Sequence, residues 1–242
     1  GSDITRMDTT ATKSGNEWII NGAKEFTTNA PIADYFIILC QSDPNATPSH
    51  RGQSLFLAEK GMPGLEATKL HGKMGIKPCV TGSLSMSDLK LPETNLVGEL
   101  NKGFYYALEL FDGTRIAVAA QAVGMAQGAF EKALNYAKTR KQFGQPIINF
   151  QGVSFKLAEM TIKIEAARLM TYKAAWLYDK EKPNPVATSM AKAYASRVAM
   201  EVTDDAIQIF GGYGYLADYH VERFHRCAKI CLLYTSPSPR DR

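Results

Sequence analysis

FDGTRIAVAAQAVGMAQGAFEKALNYAKTRKQFGQPI (residues 111–147) carries a single apolar stripe. Ala119, Ala122, Val123, Ala126, Ala129, Phe130, Ala133, Leu134 and Ala137 recur at i, i+3, i+4 and i+7, the spacing that stacks side chains on one face of an α-helix. The helix should begin near Asn101 and stop where Gly144 and Pro146 break the pattern. Downstream, a second helix is predicted over 151–179, with Phe155, Ala158, Ile162, Ala166, Leu169 and Trp176 on one side, ahead of the breaker KPNP. A third places Met190, Tyr194, Val198, Val202, Ala206 and Phe210 at a constant spacing of four. Three long amphipathic helices joined by short links make a helical bundle.

Upstream of this stretch the period is that of strands. In EWIINGAKEF (17–26), Asn21-Gly22 stands between two short runs and predicts a β-hairpin, because both positions accept a positive φ. YFIILC (35–40) and SLFLAE (54–59) read as further strands bounded by Pro, Ser, Asn and Gly. SLSMSDLKLP (83–92) alternates around Leu84, Met86, Leu89 and Leu91 with a slip in the middle that predicts a bulge, and Pro92 closes the region. Strands and helices do not alternate as a parallel sheet requires, so the fold class is α+β. An antiparallel, barrel-like β domain over 1–98 should be followed by the bundle over 99–230, with the boundary between Gly98 and Lys102.

With 242 residues, 45% of them apolar, the chain can build substantial cores, and it contains no uncharged apolar run long enough to span a membrane. Its 28 basic and 24 acidic residues are scattered, so the net charge of +4 forms no basic block and nucleic acid is not the expected partner. Cys40, Cys79, Cys227 and Cys231 have neither the paired spacing of a zinc site nor the density of a secreted scaffold, which fits a reducing compartment and no metal. The chain opens at Gly1 with no signal-like segment, and its natural start is expected upstream.

Several short motifs allow a plain and a chemical reading. Arg140 and Lys141 complement a helix C-terminal dipole; equally, a guanidinium beside Phe143 suits a phosphate with a ring packed nearby. QIFGGYGY (208–215) reads as a glycine C-cap, or as a place where Gly211 and Gly212 let a ligand approach the backbone. It lacks the order and the preceding strand of a dinucleotide fingerprint. Phe26-Thr27-Thr28 ends a strand, and Asp112 with Arg115, three apart, reads as a surface pair.

Order and spacing together resemble the acyl-CoA dehydrogenases from Gly1 to about Ile230. The likeness is carried by GSD (1–3), KEFTTN (24–29), KMGI (73–76), LPETNLVGE (91–99), the opening stretch, AIQIFGGYGY (206–215) and ERFHRCAKI (222–230). The resemblance implies FAD and an acyl-CoA substrate, electron-transfer flavoprotein as electron acceptor, and a homo-oligomer of two or four subunits. It places Phe26, Thr27 and Thr28 against the isoalloxazine ring, with the Thr28 hydroxyl bonding flavin N5. Phe26 stands where the family usually has tryptophan, keeping an aromatic wall but losing a donor. Arg140, Phe143 and Gln151 would serve the pyrophosphate and adenosine of a neighbouring subunit's FAD, which Gln208, Gly211 and Gly212 would also reach. Ser2, Asp112 and Arg115 would face the acyl-CoA. The implied compartment is a prokaryotic cytoplasm or a mitochondrial matrix.

The family's reaction takes the thioester's α proton with a carboxylate while a hydride moves to flavin. In the family pattern Y-E-G-T supplies that carboxylate; here Tyr234 matches the tyrosine and Thr235 occupies the glutamate's place. The alternative base position, just before Arg115, holds Thr114. No catalytic residue is therefore assigned, and the chain is expected not to dehydrogenate acyl-CoA. The family-like sequence is expected to end at about Ile230; the Ser/Pro/Arg composition of SPSPRDR (236–242) fits no packed element, and the tail (231–242) is expected to be foreign or disordered. The competing readings are a flavin-dependent acyl-CoA oxidase or monooxygenase on the same scaffold, and a non-enzymatic helical interaction protein.

Overall fold

A computed structural model of the chain describes residues 3–180 and 184–233. They group into two compact units, one of residues 3–73 and 77–109, the other of 74–76 and 110–233. The chain changes from strand to helix between Val97 and Gly103, while the contacts assign the helix through Glu109 to the first unit.

In the first unit, strands β1 (Thr10–Ser14), β2 (Glu17–Thr28), β3 (Tyr35–Gln41), β4 (Gln53–Glu59), β5 (Leu65–Lys69), β6 (Thr81–Pro92) and β7 (Leu96–Val97) form one sheet. Their order is β5-β6-β2-β1-β3-β4-β7. Every neighbouring pair is antiparallel except β1 with β3, which meet in parallel at Thr10 and Gln41, so the sheet is mixed. Alternation puts Trp18, Ile20, Ile38, Phe56, Leu89 and Leu91 into the core. Trp18 and Phe56 meet with ring centroids 5.2 Å apart.

The Asn-Gly signal misleads. Asn21 and Gly22 lie inside β2, and the turn between β1 and β2 falls at Gly15-Asn16, with Gly15 at φ 61°. Asn21 is needed elsewhere: its amide donates to Asp88 Oδ1 at 3.1 Å and its Oδ1 accepts the Asp88 N–H at 2.8 Å. Gly22 has φ 137°, and a Cβ there would sit 2.7 Å from Thr9 Cα. These residues build the β2–β6 bulge, whose register skips between Ile20 and Gly22, and the slip read in SLSMSDLKLP is its other side.

The second unit holds α1 (Gly103–Thr139) from Leu110 onward, with α2 (Gln151–Asp179), α3 (Pro185–Phe210) and α4 (Val221–Leu232). The α1 stripe faces the core: Ala119, Ala122, Ala126, Ala129, Ala133 and Ala137 are fully buried. Small side chains let neighbouring helices approach closely. α4 was not predicted, although Val221, Ala228 and Cys231 repeat at helical spacing and are buried. Phe224 packs so near Gly128 that a Cβ there would lie 2.7 Å from its ring.

The side of α2 read from its bulky residues does not face this core. Leu157, Met160, Ile164, Ala167, Thr171 and Ala174 are buried, whereas Phe155, Ile162, Leu169 and Trp176 are 58–66% exposed. α2 bears two apolar stripes, and the bundle took the one with smaller groups that fits close helix packing. Met190, the first member of the α3 stripe, is also exposed, while Val198, Val202, Ala206 and Phe210 are buried as expected.

Candidate functional site

In the second unit the end of α1 and the end of α3 border a groove of about 490 Å³. α1 stops at Thr139 because the chain turns into a two-residue ribbon, β8 (Lys141–Gln142) against β9 (Gln145–Pro146). Its turn is Phe143-Gly144, with φ 51° and 81°. That pair of left-handed residues is what a tight hairpin demands. Arg140 is fixed on both sides: its N–H donates to Tyr136 O at 2.8 Å, and its carbonyl accepts the Ile147 N–H at 2.9 Å.

α3 ends at Phe210, and Gly211 caps it at φ 62°, ψ −139°, its N–H donating to the carbonyls of Gln208 and Ile207. Few residues other than glycine tolerate that backbone. A 3₁₀ turn (Gly211–Tyr215) follows and brings Tyr213 to Arg140, with the guanidinium carbon 5.5 Å from the ring centre. Tyr136 stacks on Phe210 with centroids 4.2 Å apart. Burial raises the Tyr136 hydroxyl pKa, and the Arg140 charge works against that rise.

Arg140, Gly211 and Gly212 thus line one groove. No carboxylate pairs with Arg140 among the described residues, and nothing stands within 4 Å of a Cβ built on Gly211 or Gly212. A cation without a counter-ion, open backbone and aromatic walls suit a phosphate group with a flat ring. Gln208 is exposed and does not line the groove; its carbonyl accepts the Gly211 N–H. Phe143, 93% exposed, meets Phe150 edge-on at 6.0 Å, and Gln151 is exposed at the start of α2; neither lines the groove. The glycine-cap readings are correct as structure, while Tyr136 and Tyr213 were missed because their partners are remote in sequence.

Asp112 and Arg115 form a buried pair, contrary to the surface reading. Arg115 NH1 lies 2.5 Å from Asp112 Oδ1, and the side chains are 12% and 11% exposed. Desolvation pushes the Asp112 pKa up while the Arg115 charge and hydrogen bond pull it down. One helix turn of a long helix holds both residues, and removing either would strand a charge. Thr114, between them, is exposed and donates its hydroxyl to Phe111 O at 3.1 Å.

In the first unit, β2 slips register against β6 between Lys24 and Thr27. That slip leaves Phe26 at φ 56° and 79% exposed. A bulky residue in the left-handed region is strained, and such strain gathers at functional positions. Thr27 and Thr28 return to the ladder opposite Gly82 and Thr81, with Thr28 exposed. Ser2 and Thr235 lie outside the described residues. The described His, Cys, Asp and Glu side chains assemble no group of three that could hold a metal ion.

Residues 1–89 match the family described as acyl-CoA dehydrogenase, middle domain, and residues 101–235 match acyl-CoA dehydrogenase, C-terminal domain. Among similar proteins is a cyclohexane-1-carbonyl-CoA dehydrogenase of Geobacter metallireducens, 44% identical over 97% of this chain and 61% of that protein. A caffeyl-CoA reductase–Etf complex subunit of Acetobacterium woodii is 42% identical over 98% of this chain and 62% of that protein. Among solved structures, butyryl-CoA dehydrogenase from Megasphaera elsdenii superposes with a TM-score of 0.94 at 44% identity, covering 98% of this chain and 62% of that one. The chain therefore spans about three-fifths of the length of these relatives.

Proposed function

The chain belongs to the acyl-CoA dehydrogenase family, and from that premise we propose that it binds FAD and an acyl-CoA thioester for α,β-dehydrogenation. The family is FAD-dependent. The observation that carries the reading is Arg140, without a carboxylate partner among the described residues, beside the open backbone of Gly211 and Gly212.

When bound, FAD supplies the acceptor for the hydride leaving the substrate's β carbon. This chain's residues bind and orient. Arg140 would hold a phosphate of a neighbouring subunit's FAD by a charge-assisted contact, and Gly211 and Gly212 would let that nucleotide lie against the backbone. Phe26 offers an aromatic wall to the flavin ring, and the Thr28 hydroxyl is a donor for it. Asp112 and Arg115 serve the substrate side, as a buried pair whose geometry is set by one helix turn.

Removing the α proton needs a base, and both positions at which the family carries one hold threonine, Thr235 and Thr114. A hydroxyl has no basicity of use near neutral pH. The chain as it stands therefore binds flavin without dehydrogenating acyl-CoA at an enzymatic rate. The acceptor we propose is electron-transfer flavoprotein, on the ground that a 42% identical relative is named as the subunit of an Etf complex. Self-association through the exposed α2 stripe of Phe155, Ile162, Leu169 and Trp176 belongs to the same proposal.

Titrating the chain with FAD and following flavin fluorescence tests the binding reading. Saturation is expected, weakened roughly ten- to a hundredfold in Arg140→Ala, as loss of a charge-assisted hydrogen bond implies. No saturable binding, or the same affinity in the variant, would overturn it.

A further inference from the structure

We propose that Met7 is an oxidation site for hydroperoxides, at which the Lys24 ammonium assists oxygen transfer to the sulfur and then holds the sulfoxide. Both residues lie within the first unit. β1 runs against β2 with Thr10 opposite Asn21, and the Thr9 hydroxyl extends the contact by donating to Ala23 O at 3.1 Å. The same register carried past the ladder brings Met7 opposite Lys24, where Lys24 Nζ donates to Met7 Sδ at 2.7 Å.

A thioether is a weak acceptor, and it is the one hydrogen-bond acceptor that Lys24 has among the described residues. No carboxylate pairs with this ammonium among those residues. Burial lowers the Lys24 pKa, against the pull of Cys40 and Asp8, which makes its N–H groups better proton donors. A half-buried cation so placed lacks an oxygen acceptor, and a sulfoxide supplies one.

In the step itself the Met7 sulfur attacks the terminal oxygen of the hydroperoxide, an S–O bond forms and the O–O bond breaks. Lys24 donates a hydrogen bond to the departing oxygen, which takes up the proton released from the sulfur-bound hydroxyl and leaves as water or an alcohol. The sulfur gives up two electrons and the peroxide is reduced by them. Cys40, the other sulfur near this cation, does not compete. It is fully buried with its thiol pushed up to about 12, so near neutral pH it offers no thiolate, whereas a thioether attacks without ionising.

The intact chain is treated with hydrogen peroxide, and oxidation of each methionine is timed by peptide mass spectrometry, alongside Lys24→Leu, Lys24→Arg and Met7→Leu. Exposure alone would put Met74 and Met190 first, each 54% exposed against a half-buried Met7. Met7 should instead oxidise at least as fast as either. Lys24→Leu should slow Met7 at least about tenfold relative to Met74 of the same chain, the worth of a charge-assisted hydrogen bond, and Lys24→Arg should restore the rate. Because a sulfoxide oxygen accepts better than a thioether, oxidation should also raise the parent's melting temperature relative to Met7→Leu treated alike. Slower oxidation at Met7 than at either exposed methionine, an unchanged Met7 rate in folded Lys24→Leu, no rescue by Lys24→Arg, or a parent destabilised relative to Met7→Leu would overturn the proposal. If Lys24→Leu does not fold, the ranking of the three methionines within the parent decides. None of these outcomes touches the flavin reading, because neither Met7 nor Lys24 is a proposed flavin contact.

Discussion

The guanidinium of Arg140 lies over the ring of Tyr213, 5.5 Å from carbon to ring centre, although 73 positions separate the two in sequence. The ring's negative face steadies a cation that has no carboxylate partner among the described residues, leaving its N–H groups for a ligand. Replacing Tyr213 by Leu should lower flavin affinity about two- to fivefold, the worth of an exposed cation–π contact of about 0.5–1 kcal/mol. Tyr213→Phe keeps the face and should bind like the parent. Fluorescence titration of the two variants separates these outcomes; equal loss in both would mean that the hydroxyl matters and the ring does not.

Gly211 and Gly212 are neighbours with different reasons to be glycine. Gly211 sits at φ 62°, ψ −139°, while Gly212 has no positive φ and open space where a Cβ would go. Gly211→Ala should therefore cost about 1–3 kcal/mol of stability through backbone strain. Gly212→Ala should leave stability within about 0.5 kcal/mol, as substitutions away from special backbone positions do, yet weaken flavin binding by obstructing the groove. Urea denaturation and flavin titration of both variants measure the two effects. A Gly212→Ala chain that keeps full affinity would place the ligand away from that backbone.

What the sequence made legible was whatever rests on local chemistry. The bounds of α2 could be read because periodicity and the KPNP breaker are local, and they match the observed 151–179. The α3 cap at Gly211 and the bulge in β6 were legible for the same reason. The failures came where a remote partner decides. Asn21-Gly22 has the composition of a hairpin turn, but Asp88 and Thr9 give those residues a bulge to build. α2 offers two apolar stripes, and only its neighbours select the one carrying Met160 and Ile164. Asp112 and Arg115 look like a solvated pair in sequence, yet in the fold their side chains are only 11% and 12% exposed. The candidate site shows the same division: Arg140 and the glycines could be named as a cap, but Tyr213 and Tyr136 enter through the tertiary fold.

Cys40 makes stability fall in alkali. The residue is fully buried on β3, and burial pushes its thiol from an ordinary value near 9.0 up to about 12, against the pull of Lys24. Above pH 9 the unfolded chain loses this proton while the folded chain keeps it, so the unfolded state binds fewer protons and stability drops as pH rises to about 12. The slope should be about 1.4 kcal/mol per pH unit. Lys24, whose own pKa burial lowers, contributes with the opposite sign, so the readout is a difference. Between pH 9 and 11 the parent should lose stability faster than Cys40→Ala by nearly that slope. Parallel curves in urea titrations at several pH values would show that the thiol ionises as easily folded as unfolded.

On the proposed reading, the threonine at position 235 is what keeps the chain from dehydrogenating acyl-CoA. Proton abstraction at a thioester α carbon is driven by a positioned base, and a general base typically contributes ~10²- to 10⁴-fold. Thr114 provides no substitute, because its hydroxyl is already engaged with the Phe111 carbonyl and a neutral hydroxyl does not take such a proton. Asp112 is a carboxylate nearby in sequence, but Arg115 holds it in a buried pair, and desolvation raises its pKa. FAD-loaded parent chain mixed anaerobically with butyryl-CoA should therefore bleach slowly. Thr235→Glu should bleach faster by at least a hundredfold while binding FAD with unchanged affinity. Thr235→Gln, which matches the size of glutamate without its charge, should stay slow. If the parent bleaches as fast as Thr235→Glu, a base exists elsewhere, and the slower of Asp112→Asn and Glu109→Gln would identify it. If Thr235→Glu and Thr235→Gln are equally fast, the gain comes from packing at position 235 and the assignment of a general base to it fails.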